Sequence, residues 1–172
     1  MGIGATRALD RVSASLGLMR EAEPLFEHGD NVCNAGVLFL VPALVSQGLL
    51  KGAEIYGTLK KGYYGLVMIL LLLCFMYLNR IKTPEQLKTC KPGELGKLLG
   101  LDRVPEVRCL REKIRQIVAR KKAEEFNQAI SQLWIVAEDA SFFYIDGHKY
   151  CMQFSNSKMK QLLDIYKQSN KQ

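Results

Sequence analysis

The sequence has few of the residues from which disulfide-bonded domains and zinc centres are built. It contains five cysteines and two histidines in 172 residues, and no two cysteines form a CxxC pair. A disulfide framework or a zinc site needs paired or clustered ligands, so neither is expected. Scattered thiols are typical of a reducing compartment, and the N-terminal residues do not predict a secretory signal. A cytoplasmic location is therefore predicted.

Long apolar runs are also scarce. The longest, residues 62–78, would extend ~26 Å as a helix, slightly less than the ~30 Å hydrocarbon layer of a membrane. A second apolar segment, residues 32–50, is interrupted by polar side chains and by Pro42. These features favour a buried central helix in a small bundle, and a membrane is not the expected partner. A small membrane protein with two helical spans stays open as the alternative.

Positive charge is concentrated in one part of the chain. The chain carries a net charge of +7, whereas residues 80–122 alone hold thirteen basic and five acidic side chains, a net +8. The remaining residues together are therefore nearly neutral. A basic block of this kind is the electrostatic pattern expected for contacts with nucleic-acid phosphates.

Within this block the pattern predicts a short helix, a turn and a longer basic helix. Leu95, Leu98 and Leu99 share one helical face, and Gly100 follows at a position where glycine commonly ends a helix. Asp102 is predicted to cap the second helix and Pro105 to lie in its first turn. This layout is typical of a helix-turn-helix whose second helix enters the DNA major groove. The predicted DNA-binding residues are Arg103, Arg108, Arg111, Lys113 and Arg115.

Two consecutive helices joined at a glycine are also common in all-α domains, where a charged outer face is simply solvated. A regulator or protein interaction module that uses the same helices therefore remains a second alternative. Near the C-terminus the period changes: residues 141–146 and 149–154 predict a β-hairpin around Gly147 and His148. Asp146 then has two interpretations, as ordinary turn chemistry or as a metal-binding carboxylate at a strand end.

Several segments together resemble a known family. GVLFLVPALVSQGLLKGAEIYG, PGELGKLLGLDRVPEVRCLR and YIDGH, within roughly residues 5–154, resemble the N-terminal part of bacterial insertion-sequence transposases of the DDE type. The resemblance implies a helical DNA-binding region followed by an RNase H-like catalytic domain. It further implies that Asp146 is the first of three catalytic carboxylates and a ligand of Mg²⁺. The implied partner is double-stranded DNA, including the terminal repeats of a transposable element, with a homo-oligomer possible in such a family.

Such chemistry needs more than one carboxylate, because the two metal ions of DNA cleavage and strand transfer are held by several. After Asp146 the sequence offers only Asp164. We therefore expect a truncated transposase that binds DNA without cleavage, strand transfer or a functional metal of its own. The predicted fold is mainly α: an N-terminal helical region (1–82), a basic helix-turn-helix region (83–139), and a short C-terminal β-hairpin with a tail (140–172). That hairpin would be the start of a truncated RNase H-like α/β domain.

Overall fold

The computed structural model describes residues 7–26, 28 and 32–137. Contacts within the chain define one unit of Met1–Asp139 and a second of Ala140–Gln172. The predicted β-hairpin, Asp146 and the C-terminal tail lie outside the described residues. The predicted division at residue 82 stays a prediction.

The described part of the chain is built from helices, without a strand between residues 7 and 137. This confirms the mainly α prediction for that part. The α-helices are α1 (Ala8–Ser15), α2 (Val41–Ser46), α3 (Leu49–Tyr56), α4 (Leu66–Leu78), α5 (Pro92–Leu98), α6 (Val107–Val118) and α7 (Ala123–Ala137). Two 3-10 helices, Ala35–Leu40 and Pro84–Thr89, precede α2 and α5 respectively.

Helix α4 forms the centre of the core, as its apolar sequence predicts. Ile69, Leu72 and Phe75 are almost completely removed from solvent. Burial of side chains of this size stabilises the fold by about 1.5–3 kcal/mol each. The core also takes Leu95, Leu98 and Leu99 from α5 and its end, and Leu110 from α6. The basic region is thus attached to the same core as the apolar helices.

Two glycines allow α3 to pack closely against its neighbours. The segment that follows Pro42 is divided into α2 and α3 at Gly48, whose φ is +94°. Gly52 faces Leu70 of α4 and Phe126 of α7, and a β-carbon there would lie 2.8 Å from the Leu70 Cδ1. A β-carbon at Gly48 would likewise overlap the Ile130 side chain of α7, so both glycines let neighbouring helices approach closely.

Among the described residues no single helix combines the length and the apolar character needed to cross a membrane. The bent pair Ala35–Ser46 and Leu49–Tyr56 satisfies both conditions only when its two arms, 59° apart, are taken together.

Candidate nucleic-acid interface

Helices α5 and α6 are separated by an extended connection, residues 99–106, and not by a short turn. Gly100 has φ +65°, so the helix ends where the sequence predicts. The connection then runs back along α5, where the Val104 amide donates to the carbonyl of Pro92 at 3.1 Å. Helix α6 begins at Val107 with Glu106 in the N-cap position. Asp102 therefore does not cap α6, and Pro105 lies before its first turn.

Asp102 instead accepts four hydrogen bonds, three of them from residues outside the connection. Arg11 of α1 donates from Nε to Oδ2 and from Nη2 to Oδ1, each at 2.6 Å. The Tyr63 hydroxyl donates to Oδ1 at 2.7 Å, and the Arg103 amide donates to the same oxygen at 2.9 Å. Tyr64 completes the arrangement by donating to the Arg103 carbonyl at 3.0 Å. The backbone of Arg103 is thus held at its amide by Asp102, which Arg11 and Tyr63 bind in turn, and at its carbonyl by Tyr64.

Burial and hydrogen bonding within this cluster shift the pKa values of its side chains. Burial alone would raise the pKa of the Asp102 carboxyl, but the hydrogen bonds from Arg11 and Tyr63 outweigh it and leave the pKa below its ordinary value. Burial, assisted by the hydrogen bond to Asp102, raises the pKa of Tyr63 to about 12. The Arg11 guanidinium also stacks over the Tyr63 ring, 4.1 Å from its centroid. Asp102 and Arg11 are therefore fully ionised at neutral pH.

A basic groove lies beside this connection. It has a volume of about 640 Å³ and is bounded by the 3-10 helix Pro84–Thr89, the start of α5, the connection and α6. Five cationic side chains and one carboxylate line it. The lining residues are Leu87, Lys88, Pro92, Arg103, Val104, Pro105, Glu106, Val107, Arg108, Arg111 and Arg115.

Four of the five predicted DNA-binding residues meet at this groove. Arg108, Arg111 and Arg115 follow one another at helical spacing along one face of α6, and Arg103 joins them from the connection. All four arginines are exposed to solvent. Lys88 was not among the predicted residues, because it lies in a separate helix and only the tertiary fold brings it to the groove.

Lys113, the fifth predicted residue, points away from the groove. It is only 7% exposed, and its Nζ donates to the Lys60 carbonyl at 2.9 Å. Burial lowers the pKa of this ammonium. The placement is a correction to the predicted set, and its cause is visible in the sequence: Lys113 follows the buried Leu110 by three residues and so shares its inward face.

Two further basic residues also serve the fold. Arg120 donates to the Thr58 carbonyl, and Lys122 donates to the Ile55 carbonyl at 2.8 Å. Together with Lys113 they bind backbone oxygens at and beyond the end of α3, and at Ile55 the helix dipole adds to the attraction. The net charge of residues 80–122 therefore overstates the charge that is available to a ligand.

The described residues contain no group of three or more histidine, cysteine, aspartate or glutamate side chains placed to hold a metal ion. The predicted metal ligand and catalytic residue, Asp146, lies outside that part of the chain, so its role stays a prediction.

Similarity to a known protein family assigns the chain to that family. A family model described as a transposase protein matches residues 2–169. The chain belongs to the transposase protein family. The match covers nearly all of this transposase-family chain, including the groove, and it confirms the resemblance at the level of a transposase. No curated protein and no solved structure matches the chain.

Proposed function

We propose that this transposase-family protein binds double-stranded DNA, and that the basic groove is the surface that contacts it. The observation that carries the proposal is the convergence of Arg103, Arg108, Arg111 and Arg115 with Lys88 on one groove. Guanidinium groups bind phosphate oxygens through two parallel hydrogen bonds, which suits a row of arginines to a DNA backbone. Membership of a transposase family makes DNA the appropriate polyanion.

The DNA-contacting helix and the DNA target are also proposed. We infer that α6 acts as the DNA-contacting helix of a helix-turn-helix-like unit and that the DNA includes the terminal repeats of an insertion sequence. The connection of residues 99–106 is longer than the three- or four-residue turn of common helix-turn-helix units. Because Arg103 lies within it, the longer connection adds a phosphate contact beside those of α6. The DDE chemistry and Mg²⁺ binding that the resemblance assigns to Asp146 are not needed for this binding.

Replacing Arg108 and Arg115 together by glutamine tests the groove. Each exposed charge contact contributes roughly 0.5–1 kcal/mol, so the double variant should bind a short DNA duplex ~5- to 30-fold more weakly. Loss of two phosphate contacts should also reduce the slope of log K against log salt by ~1.8. Fluorescence anisotropy with labelled duplex, from ~50 mM to ~200 mM salt, measures both quantities.

The matched control is the Lys51→Gln, Lys61→Gln variant, which removes two positive charges outside the groove lining. Its affinity should stay close to that of the unmodified chain. Equal weakening in both variants would mean that net charge alone drives binding, and unchanged binding in the arginine variant would refute the assignment of the groove.

A further inference from the structure

One carboxylate beside the groove forms an ion pair with an arginine of the groove lining. Glu85 lies in the first turn of the 3-10 helix Pro84–Thr89, and its Oε1 forms an ion pair with Nη2 of Arg111. The pair joins two separate elements of the groove, since Arg111 belongs to α6. Both side chains remain accessible, 45% for Glu85 and 53% for Arg111.

The position of Glu85 is fixed by the helix that carries it. Gln86 accepts hydrogen bonds from the Lys82 and Thr83 amides at 2.6 and 3.3 Å, within a capping box that holds the start of this 3-10 helix. Leu87, the next residue, is buried in the core. The carboxylate is therefore presented to Arg111 by an anchored segment and not by a free loop.

The other arginines of the groove are held differently. Among the residues that the structure describes, Arg115 pairs only with Glu112 of its own helix, at the longer distance of 3.6 Å. Arg103 and Arg108 form no ion pair with another described residue. Among the described residues, Arg111 is thus the groove arginine whose guanidinium is engaged by a carboxylate from another element.

A carboxylate and a phosphate diester present similar oxygen pairs to a guanidinium, and Arg111 cannot give its best geometry to both. We propose that the Glu85 carboxylate occupies the position on Arg111 that a DNA phosphate would take. DNA then binds to the groove only by displacing this carboxylate. Glu85 in this role lowers affinity for every duplex and repels the approaching backbone. The inference rests on the proposed DNA-binding function and deepens it by naming a residue that limits its strength.

The Glu85→Gln variant tests the competition. An exposed ion pair is worth at most about 1 kcal/mol, so release of Arg111 should tighten duplex binding ~2- to 5-fold at low salt. The gain should disappear when Arg111→Gln is added, because no guanidinium remains to be released. The Glu54→Gln variant is the matched control, because Glu54 is exposed, pairs with Lys51 at 2.8 Å and lies outside the groove lining. The affinity of this variant for duplex should change by no more than the loss of one negative charge explains.

The outcomes separate the two proposals. If the unmodified chain binds duplex but Glu85→Gln binds equally or more weakly, the competition is refuted while the binding function stands. Weaker binding would mean that Glu85 orients Arg111 for DNA. An equal gain in Glu85→Gln and Glu54→Gln likewise refutes it, because charge alone then accounts for the effect. If neither the unmodified chain nor Glu85→Gln binds duplex, the binding function and the inference both fall.

Discussion

Replacing Asp102 by alanine should lower the free energy of unfolding by roughly 2–4 kcal/mol. The substitution leaves the Arg11 guanidinium without its bidentate partner and the Tyr63 hydroxyl without its acceptor. Breaking a fully buried pair costs about 3–5 kcal/mol, and the expected value is lower because Arg11 keeps 25% and Asp102 13% of their side-chain exposure. Urea unfolding followed by circular dichroism measures the change.

Asp10→Ala provides the comparison. Asp10 pairs at 2.6 Å with Arg7, the N-cap residue of α1, and the Asp10 and Arg7 side chains are 33% and 14% exposed. Loss of this local pair should cost less than about 1 kcal/mol. If the two alanine variants lost the same stability, the Asp102 cluster would contribute no more than a local pair between residues three apart.

The same cluster makes part of the stability depend on pH. The pKa of Asp102 is lower in the folded chain than in the unfolded chain. Its contribution is therefore fully present above the unfolded value of about 3.9 and is lost as pH falls through the folded pKa. Asp102→Asn cannot titrate, so the difference in unfolding free energy between the parent chain and this variant should shrink below about pH 4. A difference that stays constant with pH would contradict the assigned pKa shift.

Local sequence patterns predicted what depends on local structure. The end of α5 shortly before Gly100 follows from the conformational freedom of glycine, and the alignment of Arg108, Arg111 and Arg115 follows from the helical period. The apolar run of α4 likewise predicted the centre of the core, because a helix that is apolar on all sides must be buried. These features need no knowledge of which distant segments meet.

The remaining features depend on partners that are distant in sequence. Asp102 has the composition of a helix cap, but Arg11, 91 residues earlier, binds it more strongly than an amide at the start of α6 would. The same contact turns the arginine face of α1 inward and leaves Leu9 and Leu16 exposed, although their spacing alone suggests a buried stripe. Lys88 enters the groove only because α6 packs against the preceding 3-10 helix. Polarity alone does not specify such pairings.

The contact between α5 and the connection explains why the groove has a defined shape. Gly96 lies in the interior of α5, directly against the backbone that carries Arg103. Its carbonyl also accepts hydrogen bonds from the Leu99 and Leu101 amides, each at 2.9 Å. The backbone of Arg103 therefore packs directly on α5. This close contact is possible because residue 96 of the helix is a glycine, which has no side chain.

Gly96→Ala should consequently destabilise the fold by ~2–3 kcal/mol, although alanine is the better helix former. A β-carbon would lie 2.6 Å from the Arg103 Cα, 2.7 Å from its amide nitrogen and 2.9 Å from the Leu101 carbonyl oxygen. All three are backbone atoms, so no side-chain rotation relieves the overlap, and the connection must move away from α5. The midpoint and slope of urea unfolding give the loss of stability.

Gly93→Ala is the matched control in the same helix. Its new methyl group would meet only the Asp102 carbonyl oxygen, at an ordinary contact distance of 3.6 Å. This variant should be neutral or stabilised by less than ~1 kcal/mol, because only the helix propensity changes. Displacement of the connection in Gly96→Ala should also weaken duplex binding under conditions where the chain remains folded, since Arg103 moves with it. Equal stabilities for the two alanine variants would show that α5 does not press on the connection, and the support of the groove by Gly96 would then be wrong.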